Sequence, residues 1–327
     1  MDTGTHIVMG IAIGSIATID PAIASSPETA KAIMVGAILG SQAPDLDTVL
    51  KLRNNAKYIK NHRGLTHSLP AVALWPLLIT GSIYLFIPEA SLFHLWIWTF
   101  LAVILHVFVD IFNAYGTQAL RPISKKWIAL GIINTFDPYI FGAHIVGIIF
   151  WVFGGFHPGW TFLFIYFLLI FYYLYRYRMQ QKVLKQVNIV IPNVKSIIIS
   201  PTLSFNQWHL AITAGTNFYV ARSVNYQIII HDKFERVPLP ENAVIEAAKL
   251  DENVEAFLSF SPVYRWEMEE YSDHYEVRFI DLRYRSKDYY PFVAVVQLDL
   301  DLNIVSSYTG WIFSEEKLRS KLELIPD

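Results

Sequence analysis

The sequence predicts an α-helical multi-span membrane domain followed by a soluble β-rich α+β domain. Of the 327 residues, 54% are apolar and 17% are charged, whereas soluble domains carry about 25% charged residues. The charges are unevenly distributed, since residues 1–175 hold 9 of the 26 Lys and Arg and 8 of the 28 Asp and Glu. Beyond Lys185, runs of β-branched and aromatic residues, which are typical of strands, replace the long apolar segments. We therefore expect a helical membrane domain over residues 1–178 and a cytoplasmic β-rich domain over residues 186–327.

Six apolar segments account for the predicted membrane domain. The third, fourth and sixth approach the roughly 17–25 residues that a membrane-spanning helix needs. The first two are short, so either a tight helical hairpin or a re-entrant pair fits them, and the exact number of spans stays open. The segments are Ile7–Ile19, Ala30–Leu39, Leu69–Ile87, Leu92–Phe112, Ile140–Phe153 and Trp160–Tyr175.

The positions of Lys and Arg in the short loops predict the orientation. Five lie within residues 51–63, three within 121–126 and four within 176–185, whereas the turns near residues 20, 89 and 155 contain none. Cytoplasmic loops carry the excess of Lys and Arg in membrane proteins. We therefore expect a multi-pass protein of the cell membrane with both termini in the cytoplasm.

The second half of the chain predicts an antiparallel sheet with one helix, over Pro240–Leu258. It contains no catalytic motif, and we expect it to bind a protein partner if the chain acts as a regulator. The expected strands are Ser196–Ser200, Trp208–Ala214, Asn217–Ser223, Tyr226–His231, Glu276–Arg283, Phe292–Leu300 and Ile304–Trp311.

Composition excludes several kinds of site. The chain contains no Cys, so disulfides, thiolate metal sites and catalytic thiols are excluded. Any metal must be held by imidazole and carboxylate groups, which suits zinc first and manganese or iron as alternatives. No basic stretch is long enough to predict direct binding of nucleic acid.

His and Asp residues gather at the predicted cytoplasmic side of the membrane domain. His106 and Asp110 are four residues apart, so they lie on one face of a helix and can meet one metal ion. Asp45 and Asp47 point the same way if their segment is extended. A carboxylate within a span, as Asp110 is, is costly and usually functional. The residues gathered there are His6, Asp45, Asp47, His62, His67, His106 and Asp110.

Simpler roles remain open for most of these residues. His6 alone fits an interfacial histidine, and Asp45 and Asp47 fit helix caps or partners of the basic loop. His62 and Arg63 fit a positively charged cytoplasmic loop. Asp110 fits an ion pair with Arg121 or Lys125.

The same residues resemble the YdjM/YfhP-like predicted membrane-bound metal-dependent hydrolases, over about residues 1–175. The resemblance rests on His6, Pro44-Asp45-Leu46-Asp47, His62-Arg63-Gly64-Leu65-Thr66-His67-Ser68 and the His106/Asp110 pair. That family is distantly similar to zinc-dependent phospholipase C and P1-type nucleases, which cleave phosphoesters. The resemblance implies a metal-binding, active-site role for His6, Asp45, His62, His67, His106 and Asp110, and it leaves the number of ions and the individual ligands open.

We therefore predict a metal-dependent hydrolase that acts on a phosphoester, with membrane lipids as the expected partners. Asp47 is expected to bridge metal ions or to accept the proton of the attacking water, and Arg63 to neutralise a phosphate oxygen. One alternative is a non-enzymatic membrane-bound regulator with a structural or sensory metal site. Another alternative is an ion transporter. The position of the ligands at one face of the membrane argues against it, because transport sites usually lie near the midplane.

Overall fold

The computed structural model describes residues 1–52, 54–61 and 63–322, and these fall into two compact units. The helical unit comprises Met1–Asp47, His62–Lys182 and Ser200–Phe205. The sheet unit comprises Thr48–Asn61, Val183–Ile199 and Asn206–Asp327. The order of the units confirms the predicted fold class, a helical membrane domain followed by a soluble α/β domain.

Each of the six predicted apolar segments lies on a helix. The helices are α1 (Thr3–Ile16, extended by a 3₁₀ turn at Ala17–Ile19), α2 (Pro21–Ala24), α3 (Pro27–Gly40), α4 (Asn55–Asn61, in the sheet unit), α5 (Leu69–Phe86), α6 (Leu92–Asp110), α7 (Pro138–Val152) and α8 (Pro158–Val190). A 3₁₀ segment, Ala43–Leu52, follows α3.

By length and composition, α5, α6 and α8 are able to cross a membrane. Helices α1 and α3 have 14 residues each and α7 has 15, so each is only about 21–23 Å long, against the roughly 30 Å of a hydrocarbon core. The outer faces of α5 and α8 are covered with exposed Leu and Phe side chains, among them Leu77, Leu78, Phe164 and Phe167. Continuous apolar surface of this kind is suited to lipid and not to water.

Side-chain caps set where the helices begin. Asp2 accepts a hydrogen bond from the backbone N–H of Thr5, and Ser68 from that of Ala71. These caps satisfy N–H groups that the first turn of a helix leaves without partners. They also place the first turn of α1 and the loop before α5 beside the Asp and His residues singled out in the sequence.

Glycines allow α3 to pack closely against both α1 and α6. A Cβ atom at Gly10 of α1 would lie 2.8 Å from the Cα of Ile38 in α3. A Cβ at Gly40 of α3 would lie 2.9 Å from the carbonyl oxygen of Thr99 in α6. Small residues are the usual means of close helix approach in membranes. As a result, the helix ends that carry the predicted ligands meet.

The sheet unit contains two four-stranded antiparallel sheets. The first has the order β1-β2-β3-β4 and the second the order β5-β6-β7-β8. The strands are β1 (Val194–Pro201), β2 (Gln207–Ala214), β3 (Asn217–Val224), β4 (Gln227–Glu235), β5 (Tyr264–Glu270), β6 (His274–Asp281), β7 (Phe292–Asp299) and β8 (Ile304–Trp311). In the first sheet, β3 and β4 are joined by Asn225 and Tyr226, both with positive φ, as a two-residue type I′ turn requires.

Helices cover both faces of the second sheet. Phe292, Ala294 and Val296 of β7 pack in one cluster with α9 (Ala243–Lys249) and α10 (Glu252–Phe260). Val293 and Val295 point to the opposite face, where they pack with α11 (Glu315–Leu322). This alternation follows the period of two of a strand and explains why β7 is apolar on both faces from Phe292 to Val296.

Two features of the sheet unit differ from the prediction. The single helix expected over Pro240–Leu258 is two helices, because the side chain of Asp251 caps a new helix by accepting from the N–H groups of Asn253 and Val254. Strand β5 was not predicted. Its sequence, YRWEMEE, is rich in charge because it lies at the edge of its sheet, where charged side chains protect the open backbone.

Candidate metal centre

Four side chains from three parts of the helical unit converge on one point. Asp45 comes from the 3₁₀ segment after α3, His67 from the loop before α5, and His106 and Asp110 from the last turns of α6. One ligand atom of each lies within 4.8 Å of all the others. His67, His106 and Asp110 are at most 1% exposed, and the Asp45 side chain is 16% exposed.

The separations between these ligand atoms match a tetrahedral metal site. His67 Nε2 lies 3.2 Å from His106 Nε2, 3.6 Å from Asp45 Oδ1 and 3.5 Å from Asp110 Oδ2. His106 Nε2 lies 3.7 Å from Asp45 Oδ1 and 3.8 Å from Asp110 Oδ2. Ligands about 2.0–2.2 Å from a tetrahedral zinc ion are roughly 3.3–3.6 Å apart, and five of the six separations between the four ligand atoms are within about 0.2 Å of that range.

Hydrogen bonds at Nδ1 determine which nitrogen of each imidazole faces the centre. His106 Nδ1 lies 2.6 Å from the carbonyl oxygen of Ser41, which only accepts, so Nδ1 carries the proton. The Thr66 hydroxyl donates to Asp47 Oδ2 at 2.8 Å, and His67 Nδ1 lies 3.2 Å from the same hydroxyl oxygen, to which it donates. Both Nε2 atoms therefore present lone pairs, which is the usual arrangement for metal-binding histidines.

The two carboxylates contribute buried acceptor atoms. Asp45 Oδ1 and Asp110 Oδ2 have no hydrogen-bond partner among the described residues. Two carboxylate oxygens and two imidazole lone pairs in one buried place repel one another, and a cation relieves that repulsion. The donor set is nitrogen and oxygen alone, as zinc, manganese and iron accept. The residues present therefore fit a divalent metal ion.

The charge of Arg63 favours the ionised form of Asp45. Burial raises the pKa of the Asp45 carboxyl, and the positive guanidinium of Arg63 lowers it. An ionised carboxylate is the form that binds metal.

Asp110 also contacts a second group of polar atoms through Oδ1. The α-amino group of Met1 is buried against Oδ1 and lies 2.9 Å from His6 Nε2. His6 Nε2 lies 3.4 Å from Oδ1, and the His6 ring stacks on that of His106 with centroids 3.7 Å apart. Burial, and then the charge of Arg63, lower the pKa of the Met1 amine. His6 is thus beside the four-donor group and not among its members.

The two residues predicted to act in catalysis lie next to the centre. Arg63, which is buried with a φ of 58°, places its NH2 group 3.4 Å from Asp110 Oδ2 and 3.3 Å from the carbonyl oxygen of Met1. Asp47 Oδ2 accepts from Thr66 and, at 3.3 Å, from the backbone N–H of Arg63. The predicted ligand His62 lies outside the described residues. The roles of the individual residues stay predictions.

Sequence reasoning missed three groups at the centre. Thr66 lies inside the quoted HRGLTHS string, and its position beside His67 was a usable signal. The carbonyl of Ser41 and the amino group of Met1 belong to the backbone, so no residue type marks them. Their positions follow only from how α1, α3 and α6 pack.

Comparisons with known proteins cover both units. The family model of the YdjM inner membrane protein matches residues 1–183. The YfhP middle domain matches residues 192–234, and the YfhP C-terminal alpha/beta plait domain matches residues 243–322. A protein of Bacillus subtilis (strain 168) named "Uncharacterized protein YfhP" is 61% identical over 325 residues, which is 99% of each chain. No solved structure matches the chain.

Proposed function

The chain belongs to the YdjM/YfhP family of membrane proteins, and from that premise we propose that it is a metal-dependent hydrolase at the cytoplasmic face of the cell membrane. The observation that carries the proposal is the convergence of Asp45, His67, His106 and Asp110. Zinc is the first candidate for the metal, with manganese and iron as alternatives. A phosphoester, in particular a lipid, is the proposed substrate, and a distant similarity to zinc-dependent phospholipase C and P1-type nucleases is proposed with it.

Those four residues are the proposed ligands of one ion, and His62 and His6 are proposed to join them where a second ion is bound. These residues would hold a divalent ion, which would supply a bound water of lowered pKa and a positive charge that polarises an oxygen of the scissile ester. Asp45 is the most exposed of the four donors, so the substrate is proposed to approach from its side. The protein ligands must leave a coordination position open there for hydrolysis to occur.

Arg63 and Asp47 are proposed to assist the reaction. The guanidinium of Arg63 lies beside Asp110, and its proposed role is to neutralise a phosphate oxygen. Asp47 orients His67 through the Thr66 hydroxyl, and it is also the proposed acceptor of the water's proton. Holding an imidazole by its second nitrogen raises its basicity and fixes its direction.

We further propose that the protein is multi-pass with both termini in the cytoplasm. The concentration of Lys and Arg within residues 51–63, 121–126 and 176–185 supports this orientation. In this proposed orientation, the candidate metal centre would lie at the depth of the lipid headgroups.

A non-enzymatic membrane-bound regulator with a structural or sensory metal is the second candidate. The enclosure of the centre favours it, because His67, His106 and Asp110 are buried and four protein ligands complete a tetrahedral shell, as in structural zinc sites. In this case the sheet unit is proposed to bind a protein partner.

Hydrolysis of bis(4-nitrophenyl) phosphate and of phospholipid vesicles by the detergent-purified, metal-loaded protein separates the two candidates. The hydrolase proposal expects activity that falls by about 100-fold or more in Asp110→Asn and His67→Ala. The matched control is His157→Ala, at an exposed histidine outside the centre. Metal binding without hydrolysis of either substrate supports the regulator, and activity that persists in both variants contradicts the assigned site.

A further inference from the structure

Exposed leucines border the side of the metal centre from which Asp45 is reached. Leu46 directly follows Asp45 in the 3₁₀ segment and is 55% exposed. Leu65 directly precedes Thr66 in the loop before α5 and is 66% exposed. The hydrogen bond from the Thr66 hydroxyl to Asp47 joins the two segments. Each of them therefore carries a large apolar side chain to the surface next to a residue of the centre.

The loop between α6 and α7 extends this apolar surface. Its backbone is tied to the start of α5, since the N–H of Leu69 donates to the carbonyl oxygen of Arg121 at 3.1 Å. Leu120 and Ile123 of the loop are exposed, Ile123 by 81%. The five exposed apolar side chains of the three segments are here named the apolar rim: Leu46, Leu65, Leu69, Leu120 and Ile123.

The apolar rim is continuous with a surface that is suited to lipid. Leu69 is the first residue of α5, a helix long and apolar enough to cross a membrane. Farther along α5, Leu74, Leu77 and Leu78 are exposed as well. Apolar surface beside the centre that continues along a membrane-spanning helix favours a ligand that is itself part of the bilayer.

The loop also carries positive charges that the protein leaves uncompensated. Residues 111–136 contain Arg121, Lys125 and Lys126 and no Asp or Glu. Across the part of the chain that the structure describes, these three side chains form no ion pair and no hydrogen bond. The carboxylates of the 3₁₀ segment are directed at the centre and at the Thr66 hydroxyl. Cations beside apolar surface are complementary to a phospholipid with a net negative headgroup.

We propose that the apolar rim and these three cations form a docking surface for one anionic phospholipid of the cytoplasmic leaflet. The acyl chains pack on the apolar rim and along α5, and the phosphate pairs with Arg121 and Lys125. The lipid reaches the centre laterally, out of the bilayer, on the side of Asp45. This inference rests on the proposed function and orientation, and it narrows the proposed substrate from a phosphoester lipid in general to an anionic phospholipid.

The test is native mass spectrometry of the full-length protein in detergent, titrated separately with dioleoylphosphatidylglycerol and dioleoylphosphatidylcholine. We expect the anionic phosphatidylglycerol to bind at one site at least about tenfold more tightly than the zwitterionic lipid. Arg121→Gln should weaken phosphatidylglycerol by about fivefold, the contribution of one cation at a membrane surface. Ile123→Ser, at a position too exposed to disturb the fold, should weaken both lipids several-fold.

The matched control is Arg178→Gln. Arg178 is an exposed arginine of α8 without an ion pair among the described residues, on the same side of the membrane in the proposed orientation. It lies outside the docking surface, so phosphatidylglycerol affinity should change less than twofold. An equal loss in Arg178→Gln and Arg121→Gln would show general attraction to the basic side of the protein and would overturn the proposal.

Two further results overturn the docking surface: equal affinity for the two lipids in the wild type, and one phosphatidylglycerol affinity shared by the wild type, Arg121→Gln and Ile123→Ser. Asp110→Asn, which alters the centre and not the docking surface, separates docking from hydrolysis. The expected binding pattern in the wild type and in Asp110→Asn, with no hydrolysis by either, supports the docking surface and contradicts the hydrolase. Hydrolysis of bis(4-nitrophenyl) phosphate without preferential lipid binding supports the hydrolase and overturns the docking surface.

Discussion

At the scale of single residues, the centre depends on groups that hold the ligands as much as on the ligands. The Ser41 carbonyl and the Thr66 hydroxyl each accept a hydrogen bond from the Nδ1–H group of one imidazole. Each bond leaves Nε2 unprotonated and directed at the two carboxylates. Because the Ser41 partner is backbone, only the Thr66 partner can be removed by substitution.

Removing the Thr66 hydroxyl should weaken metal binding. In Thr66→Val the hydrogen bond to His67 and the link to Asp47 are both lost, whereas Thr66→Ser retains the hydroxyl. We expect Thr66→Val to lower metal affinity by about 10- to 100-fold and Thr66→Ser to stay near the wild type. Competition with a fluorescent chelator measures both, and equal affinity in the two variants would contradict the role of the hydroxyl.

At the scale of elements, α3 determines how closely the ligand-bearing helices approach. A Cβ at Gly36 would lie 2.5 Å from Thr99 Oγ1 and 2.9 Å from Leu95 Cδ1, both of α6, whereas a Cβ at Gly81 of α5 would meet nothing within 4 Å. The two glycines therefore form a matched pair of helix positions, one in contact with a neighbouring helix and one open.

Alanine at these two glycines should change stability in opposite directions. Gly36→Ala should destabilise the protein by about 1–3 kcal/mol through overpacking and reduce metal retention, since α6 carries His106 and Asp110. Gly81→Ala should stabilise it by about 0.5–1 kcal/mol, because alanine favours the helix. Thermal unfolding in detergent measures both, and a Gly36→Ala variant as stable as Gly81→Ala would contradict the close packing.

In the first sheet, His209 should make stability depend on pH. Burial, followed by the charges of Arg222, His231 and Arg285, lowers its pKa to about 4, against about 6.5 in an unfolded chain. Between these values the unfolded state binds the proton and the folded state does not, so stability falls as the pH is lowered from 6.5 to 4. The loss is about 2 kcal/mol after allowance for solvent screening.

His209→Gln should therefore flatten the dependence of the unfolding free energy on pH over that window and leave it unchanged at pH 8. Chemical denaturation of both proteins at several pH values tests this. The same slope in the variant and the wild type would show that His209 does not titrate as described.

The elements differ in how far sequence could specify them. The long apolar runs of α5, α6 and α8 are predictable, because a span needs little beyond hydrophobicity and length. Strand β5 was not predicted because it lacks the alternation of apolar residues that marks a strand. As an edge strand, it carries Glu and Arg instead. The predicted single helix is divided at Asp251, because the Asp251 side chain bonds to backbone N–H groups and so competes locally with a continuous helix.

The meeting of Asp45, His67, His106 and Asp110 was expected from the charge pattern. The position of the Met1 amine beside Asp110 depends on tertiary packing alone.

At the scale of the whole molecule, the proposed orientation is open to a direct test because the chain contains no Cys. Single cysteines at Glu89 and at His157 should react with a membrane-impermeant maleimide applied to intact cells. A cysteine at Lys125 should react only after the membrane is opened. All three positions are exposed, so labelling reports the side of the membrane, and the reverse pattern would invert the proposed topology.

The central claim is that Asp45, His67, His106 and Asp110 hold a divalent metal ion. Its most direct test is elemental analysis of the detergent-purified protein, comparing the wild type with Asp110→Asn, His67→Ala and the control His157→Ala. We predict stoichiometric zinc, manganese or iron in the wild type and in His157→Ala, and a loss of most of it in the other two variants. Negligible metal in all four proteins, or equal metal in all four, would contradict the claim.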